Sequence, residues 1–108
     1  MEPEFVCFQK QLSNTDVSRN LEIPNRAPFL PAGHGVMLVT DREGNIYDFV
    51  ASVRADGRRS LKRDWCFFAE KKHLRAGEFI RIYWSGNGNQ YRVQAGLELH
   101  GYIVWETL

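Results

Sequence analysis

The chain has 108 residues, of which 44% are apolar and 25% are charged, and its 14 Lys and Arg nearly balance its 13 Asp and Glu. This size and composition predict a single soluble domain, residues 1–108, that can bury its own core. A membrane-spanning chain is excluded, because no apolar run approaches the roughly 20 residues that a bilayer span requires.

The N-terminus and the cysteines bear on location. Residues 1–4 are acidic and carry no secretory signal pattern. Cys7 and Cys66 stand 59 positions apart, and in a domain with its own core they favour free buried thiols over a disulfide. We therefore expect the cytosol or the nucleus rather than secretion.

The first half of the chain alternates short apolar runs with turn-forming residues. The apolar runs predict strands at residues 5–12, 21–23, 36–40 and 46–53. Residues 13–16 are rich in cap and turn formers, and a single helical turn is predicted at residues 17–20. An irregular connection, residues 25–35, follows Pro24, and a turn at residues 41–45 joins the next two strands.

The second half predicts a hairpin, a helix and further strands. Asp64 is predicted to cap a helix at residues 65–74, whose apolar stripe faces the core. Strands are predicted at residues 78–84, 91–95 and 101–107. The predicted core includes Trp65, Phe68, Leu74, Phe79 and Ile82. Six to eight short strands with two short helices indicate a closed or nearly closed barrel.

The loop after residue 53 decides which side chains of the hairpin face the core. A two-residue turn would pair Leu61 with Ser52, on the polar face. A three-residue loop with Gly57 in the left-handed conformation pairs Leu61 with Ala51 and keeps Leu61 on the apolar face. We predict this second register. The opposite face, expected to face solvent, then carries Ser52, Arg54, Arg58, Ser60 and Lys62, and Arg59 points inward near the tip.

This hairpin concentrates positive charge. Residues 54–63 hold five basic side chains and one acid, whereas the whole chain carries a net charge of +1. Four of the five are arginines, whose planar fork suits guanine and phosphate. The pattern favours a nucleic acid as partner. Another anionic partner and a plain charged surface that protects a strand edge both stay open.

The sequence offers little that would support catalysis. His34, His73 and His100 have no zinc-site spacing with each other or with the cysteines. Gly86-Asn87-Gly88 lacks the residues of a phosphate loop and predicts a hairpin turn. We expect no enzymatic activity, no cofactor, no metal, no small-molecule substrate and no membrane partner.

Four segments in order resemble one known family. They are Phe8-Gln9-Lys10-x-Leu12-x-Asn14-Thr15-Asp16-Val17, Leu21-x-Ile23-Pro24, Trp65-x-x-Phe68-Ala69-x-x-x-x-Leu74-x-x-Gly77-Glu78, and Phe79 to Tyr83 with Tyr91-Arg92-Val93. Together they resemble a plant B3 DNA-binding domain over about residues 5–96. Residues 97–108 lie outside the resemblance and form a C-terminal extension, predicted to add a strand.

The resemblance implies a mainly β fold: a seven-stranded open β-barrel, or pseudobarrel, with two short α-helices. It also implies two arms that enter the major groove of DNA, residues 10–20 (arm 1) and residues 52–63 (arm 2). Two features depart from the family. The loop at residues 25–31 lacks a basic insert, and residues 51–53 lack a tryptophan common in one branch. Base preference is therefore not transferred.

These observations predict a sequence-selective double-stranded DNA-binding domain of a plant transcription regulator in the nucleus, with other transcription regulators as further partners. The predicted DNA-binding residues are Lys10, Ser13, Asn14, Thr15, Arg19, Ser52, Arg54, Arg58, Arg59, Ser60, Lys62 and Arg63. Arg54, Arg58, Arg59 and Asn14 are assigned to base edges. The residues assigned mainly to phosphates are Lys10, Ser13, Thr15, Ser60, Lys62 and Arg63.

Three alternatives stay open. The first is sequence-tolerant binding of DNA or chromatin. The second is a β-barrel protein-interaction module, because the apolar strand at residues 101–107 could pair with another chain, although sealing its own barrel is favoured. The third, a nuclease-associated recognition domain, would need a catalytic domain that this chain does not contain.

Overall fold

Eight strands and two short helices form the part of the chain that this computed structural model describes, residues 5–108. The acidic segment at residues 1–4 lies outside the described residues. In chain order the elements are β1 (Val6–Gln11), α1 (Asn14–Ser18), β2 (Leu21–Ile23), β3 (Gly35–Thr40), β4 (Ile46–Val53), β5 (Arg59–Arg63), α2 (Trp65–Lys71), β6 (Phe79–Trp84), β7 (Gln90–Leu99) and β8 (Tyr102–Thr107). No helix within residues 5–108 is long and apolar enough to cross a membrane.

All strands belong to one sheet that curves into an open barrel. Seven strands follow the order β1-β6-β7-β3-β4-β5-β2, and β8 pairs with β7 off this path. Neighbouring strands are antiparallel except β3 and β7, which pair in parallel at Leu38–Gln90 and Val39–Tyr91. The prediction of a mainly β pseudobarrel with two short helices is confirmed.

The barrel interior is filled by aromatic and aliphatic side chains of the strands and of α2. Trp65 and Phe68 of α2 are fully buried and meet the ring of Phe49 edge-on, at centroid distances of 5.6 and 5.4 Å. Leu74 and Ile82 are buried as predicted, whereas Phe79 is only half-buried at the start of β6. Helix α2 thus holds β4 from the inside and fixes the strand from which arm 2 extends.

Both helices differ from the prediction at their ends. Helix α1 begins at Asn14 rather than Val17, because Ser13 and Asp16 form a capping box. Asp64 does precede α2, but its side chain makes no capping bond. Its Oδ2 instead accepts from the Asp48 N–H at 2.9 Å, which ties the start of α2 to β4. Helix α2 ends at Lys71, three residues earlier than predicted.

The C-terminal extension does add a strand. Residues of β8 pair with β7 from Gln94–Thr107 to Leu99–Tyr102, and the pairing lengthens β7 beyond its predicted end at residue 95. β3 covers the start of the same β7 edge, so the two strands divide that edge between them. The extension therefore seals part of the domain's own sheet, as favoured from the sequence.

Candidate nucleic-acid interface

The tip of arm 2 has the predicted three-residue loop. Ala51 pairs with Leu61, and Ser52 with Ser60. The Arg54 N–H donates to the Arg58 carbonyl at 2.7 Å, and the Gly57 N–H donates to the Arg54 carbonyl at 2.9 Å. Gly57 has a φ of 89°, in the left-handed region where a side chain would be strained. Arm 2 is therefore a defined hairpin, and its basic residues project from a fixed backbone.

Most of the charge on arm 2 is open to solvent. Arg54, Arg58, Lys62 and Arg63 are all exposed. The Arg58 Nε lies 3.7 Å from the Asp56 carboxylate, with side chains 66% and 56% exposed. Solvent screening makes such an exposed pair weak, so a polyanion can compete for Arg58 at little cost.

Arg59 has a different environment from its neighbours. It is half-buried, and its Nη2 donates to the Pro31 carbonyl oxygen at 2.9 Å. This bond fastens the irregular connection before β3 to arm 2, next to its tip loop. The predicted inward direction near the tip agrees with this placement.

Ser52 and Ser60 are not on a solvent-facing surface, and that part of the prediction is wrong. Their exposures are only 8% and 2%. Ser60 pairs with Ser52 of β4 on one side and with Glu22 of β2 on the other, so both serines lie in a paired part of the sheet. The Ser60 Oγ is buried and has no hydrogen-bond partner within the described residues.

Arm 1 is held by the buried carboxylate of Asp16. This carboxylate accepts from the Ser13 N–H at 2.9 Å and the Glu22 N–H at 3.1 Å, and it pairs with the Lys10 ammonium at 2.9 Å. Burial alone would raise the pKa of Asp16, but these bonds outweigh it and hold the pKa below its usual value. The Trp65 Nε1 also donates to the Asp16 carbonyl at 2.6 Å. Arm 1 is thereby fixed to α2 and β2.

The predicted residues of arm 1 divide into two groups. The first makes hydrogen bonds within the protein: the Lys10 ammonium contacts Asp16 and the Glu22 carbonyl, and the Ser13 hydroxyl, although exposed, accepts from the Asp16 N–H. The second, Asn14, Thr15 and Arg19, is exposed.

The two arms face each other across a cleft of about 200 Å³. Its lining residues are Thr15, Arg19, Asn20, Glu22, Arg54, Arg58, Arg59 and Ser60. Residues from distant parts of the chain thus form one surface with four arginines and one carboxylate. Asn20 and Glu22 were missed from the sequence. Glu22 could have been found from the alternation of the strand, because a residue between two buried residues, Leu21 and Ile23, faces away from the core.

The rest of the described chain offers little other chemistry. No group of three His, Cys, Asp or Glu in residues 5–108 is arranged to hold a metal ion. Cys7 and Cys66 are both free. Burial raises the pKa of the Cys7 thiol to about 12, so it is not a reactive thiolate. The Cys66 thiol contacts the Arg19 carbonyl oxygen.

Comparisons with solved structures identify the fold. The DNA complex of Arabidopsis FUS3, a B3 domain protein, matches with a TM-score of 0.64 and 27% identity, over 83% of this chain and 95% of that chain. A hypothetical Arabidopsis thaliana protein matches with a TM-score of 0.64 and 20% identity, over 88% and 94% of the two chains. The chain has the B3 pseudobarrel fold. No protein-family model and no curated protein sequence matches it.

The B3 fold accounts for how the two arms come together. In the sheet order, β1 and β2 lie at opposite ends, yet arm 1 connects them directly. Arm 1 must therefore cross the open side of the barrel, and β2 pairs with β5 at the base of arm 2. The resemblance noted in the sequence is confirmed at the level of structure.

Proposed function

We propose that this chain is a sequence-selective double-stranded DNA-binding domain of a transcription regulator, which reads the major groove with arms 1 and 2. The observation that carries the proposal is the cleft between the arms, where four arginines from two separate segments line one rigid surface. The structural match to a B3 protein solved as a DNA complex supports it.

The proposed roles follow from which side chains are free. Arg54 and Arg58 are exposed, and each guanidinium can donate two bonds to guanine O6 and N7. Asn14 of arm 1 suits adenine. Arg59 keeps donors besides the one that holds Pro31 and presents them at the cleft wall.

Phosphate contacts are assigned to exposed polar and basic side chains around the cleft. These are Ser13, Thr15, Arg19, Lys62 and Arg63. Lys10 supports arm 1 through its ion pair with Asp16. Ser52 and Ser60 are too buried to contact a phosphate; Ser60 lies in the cleft lining, and Ser52 pairs with it in the β4–β5 ladder.

Selection from a random duplex library tests the proposal. Enrichment of one short motif, with binding at least about a thousandfold tighter than to shuffled duplexes at physiological salt, is the result expected of specific readout. Equal affinity for shuffled duplexes indicates sequence-tolerant DNA or chromatin binding instead. Absence of duplex binding overturns both. A fluorescent fusion that stays outside the nucleus of plant cells argues against the regulatory role.

A second candidate function is that of a protein-interaction module, which is tested separately from DNA binding. The hairpin of β7 and β8 carries exposed apolar side chains at two cross-strand pairs, Leu97–Val104 and Leu99–Tyr102. Such a surface fits another regulator or a second copy of the chain. Light scattering at two concentrations detects self-association, and a constant monomer mass excludes the second copy.

A further inference from the structure

We infer that Glu22 determines base specificity in the cleft by accepting a hydrogen bond from the exocyclic amino group of a cytosine. This inference rests on the proposed DNA-binding function and refines it. Glu22 is the single acid among the residues that line the cleft, where it lies with Arg19, Arg54, Arg58 and Arg59.

The backbone around Glu22 is fixed on both sides. Its N–H donates to Asp16 at 3.1 Å, and its carbonyl accepts from the Lys10 ammonium at 3.0 Å. It also pairs with Ser60 in the β2–β5 ladder. The start of the side chain is therefore held in one place, as a group that reads a base must be.

The carboxylate itself is exposed and unengaged. No ion pair or hydrogen bond joins it to another side chain in the described part of the molecule, although four arginines line the same cleft. If Glu22 served only to position those arginines, contacts with them would be expected. Its acceptor atoms are instead available to a ligand.

The charge of Glu22 limits what that ligand can be. A carboxylate repels phosphate, so this part of the cleft disfavours the DNA backbone and favours a base edge that donates hydrogen bonds. In the major groove, cytosine presents its N4 amino group without a neighbouring acceptor, whereas adenine places the N7 acceptor beside its N6 amino group. An ionised carboxylate therefore prefers cytosine to adenine.

The arginines complete the match to one base pair. The guanine opposite a cytosine presents only acceptors, O6 and N7, which suit Arg54 or Arg58 on the arm 2 wall. Carboxylate and guanidinium side by side thus complement both halves of a C·G pair. A carboxylate alone recognises only the cytosine of the pair, and a guanidinium alone recognises only the guanine.

The test compares motifs selected by the unmodified protein, Glu22→Gln and Glu98→Gln. Glu98 is an exposed acid on β7, outside the cleft lining, so its variant makes the same change in net charge. We expect a C·G pair to be required at one position. Glu22→Gln should admit adenine there, because glutamine pairs with adenine N6 and N7, and preference for cytosine should fall about tenfold. Glu98→Gln should leave the motif unchanged.

Two results overturn the inference while leaving the proposed function intact. One is an unchanged motif in Glu22→Gln with equally tighter binding to all duplexes, which means that Glu22 acts only through its charge. The other is a loss of preference spread evenly over the site. A lack of any motif in the unmodified protein contradicts sequence-selective binding itself, before the variant is considered. Circular dichroism and thermal melting confirm that the variants are folded.

Discussion

An aspartate lies near each end of strand β4, and the two aspartates differ in burial and in the number of hydrogen bonds they accept. At the β3–β4 turn, the buried Asp41 accepts from the N–H groups of Glu43 and Asn45, the Asn45 amide, the Tyr47 hydroxyl and the Lys72 ammonium, at 2.8–3.1 Å. At the tip of arm 2, Asp56 is exposed, and among residues 5–108 its carboxylate contacts only Arg58, through the Arg58 N–H and guanidinium. One end uses its charge to hold the barrel together, and the other leaves charge accessible to a partner.

If the proposed function is correct, this contrast separates stability from DNA binding along the single strand β4. A buried, fully bonded carboxylate is costly to disturb, whereas an exposed ion pair contributes little to folding. Changes at the Asp41 turn should therefore affect the free energy of unfolding. Changes at the tip of arm 2 should affect DNA binding and leave the fold intact.

The largest effect is expected from Asp41→Ala. Removing this carboxylate leaves the Lys72 ammonium, whose side chain is only 11% exposed, without its closest partner. Breaking a buried pair in this way costs about 3–5 kcal/mol of unfolding free energy. Urea denaturation measures the loss. The matched variant Asp56→Ala should change stability by less than about 0.5 kcal/mol, and equal losses in both would remove the contrast.

Low pH should reduce the stability of the fold through the Asp41 carboxylate. Burial alone would raise the pKa of Asp41, but its hydrogen bonds outweigh burial and hold the pKa well below its ordinary value of 3.8. A group with a depressed folded-state pKa contributes stability above its unfolded-state pKa and loses it as the pH falls toward the folded value. The free energy of unfolding should therefore decline below about pH 4. Asp41→Asn should flatten this decline, and an unchanged slope would assign it to other carboxylates.

Arg58→Ala tests the proposed DNA-binding end of β4. The substitution should lose about 1–3 kcal/mol of discrimination at one or two base pairs, with stability unchanged. The control is Arg42→Ala, which removes an exposed arginine at the opposite end of β4, 3.9 Å from Glu106. Fluorescence anisotropy with duplexes that carry single base-pair substitutions measures the base discrimination of both variants. Equal effects of the two variants would show that arm 2 has no special role.

The smallest effect is expected from Lys62→Ala. Loss of one phosphate contact should weaken binding to all duplexes alike and reduce the slope of log K against log salt by about one. Lys71→Ala is the comparison, because Lys71 is exposed near Tyr47, at the Asp41 end of β4. A salt titration of DNA binding by each variant measures the two slopes. An effect of Lys62→Ala confined to one base position would reassign this lysine to base readout.

The sequence predicted those features that local rules control. The register of arm 2 followed from the alternation of apolar residues in β4 and from Gly57, because a slip of one residue would have turned Leu61 out of the core. The turn at Asp41 was also predicted from its residues. Its bond to Lys72, 31 positions later, was not, since no local pattern encodes that contact.

What the sequence missed depends on closure of the barrel. Ser52 and Ser60 were placed on an exposed face because alternation distinguishes two faces of a strand but cannot say what covers each one. Only the pairing of β2 with β5 brings Glu22 beside Ser60 and creates the cleft floor. The DNA-binding role of these residues stays a prediction.

The division of the β7 edge between β3 and β8 has a consequence for how such domains diversify. Within the described residues β8 forms its ladder with β7 alone, and neither arm takes part in that ladder. We therefore expect that β8 can be gained, shortened or exchanged during evolution without a change in the shape or the lining residues of the cleft. Natural variants of the domain should tolerate change here most readily.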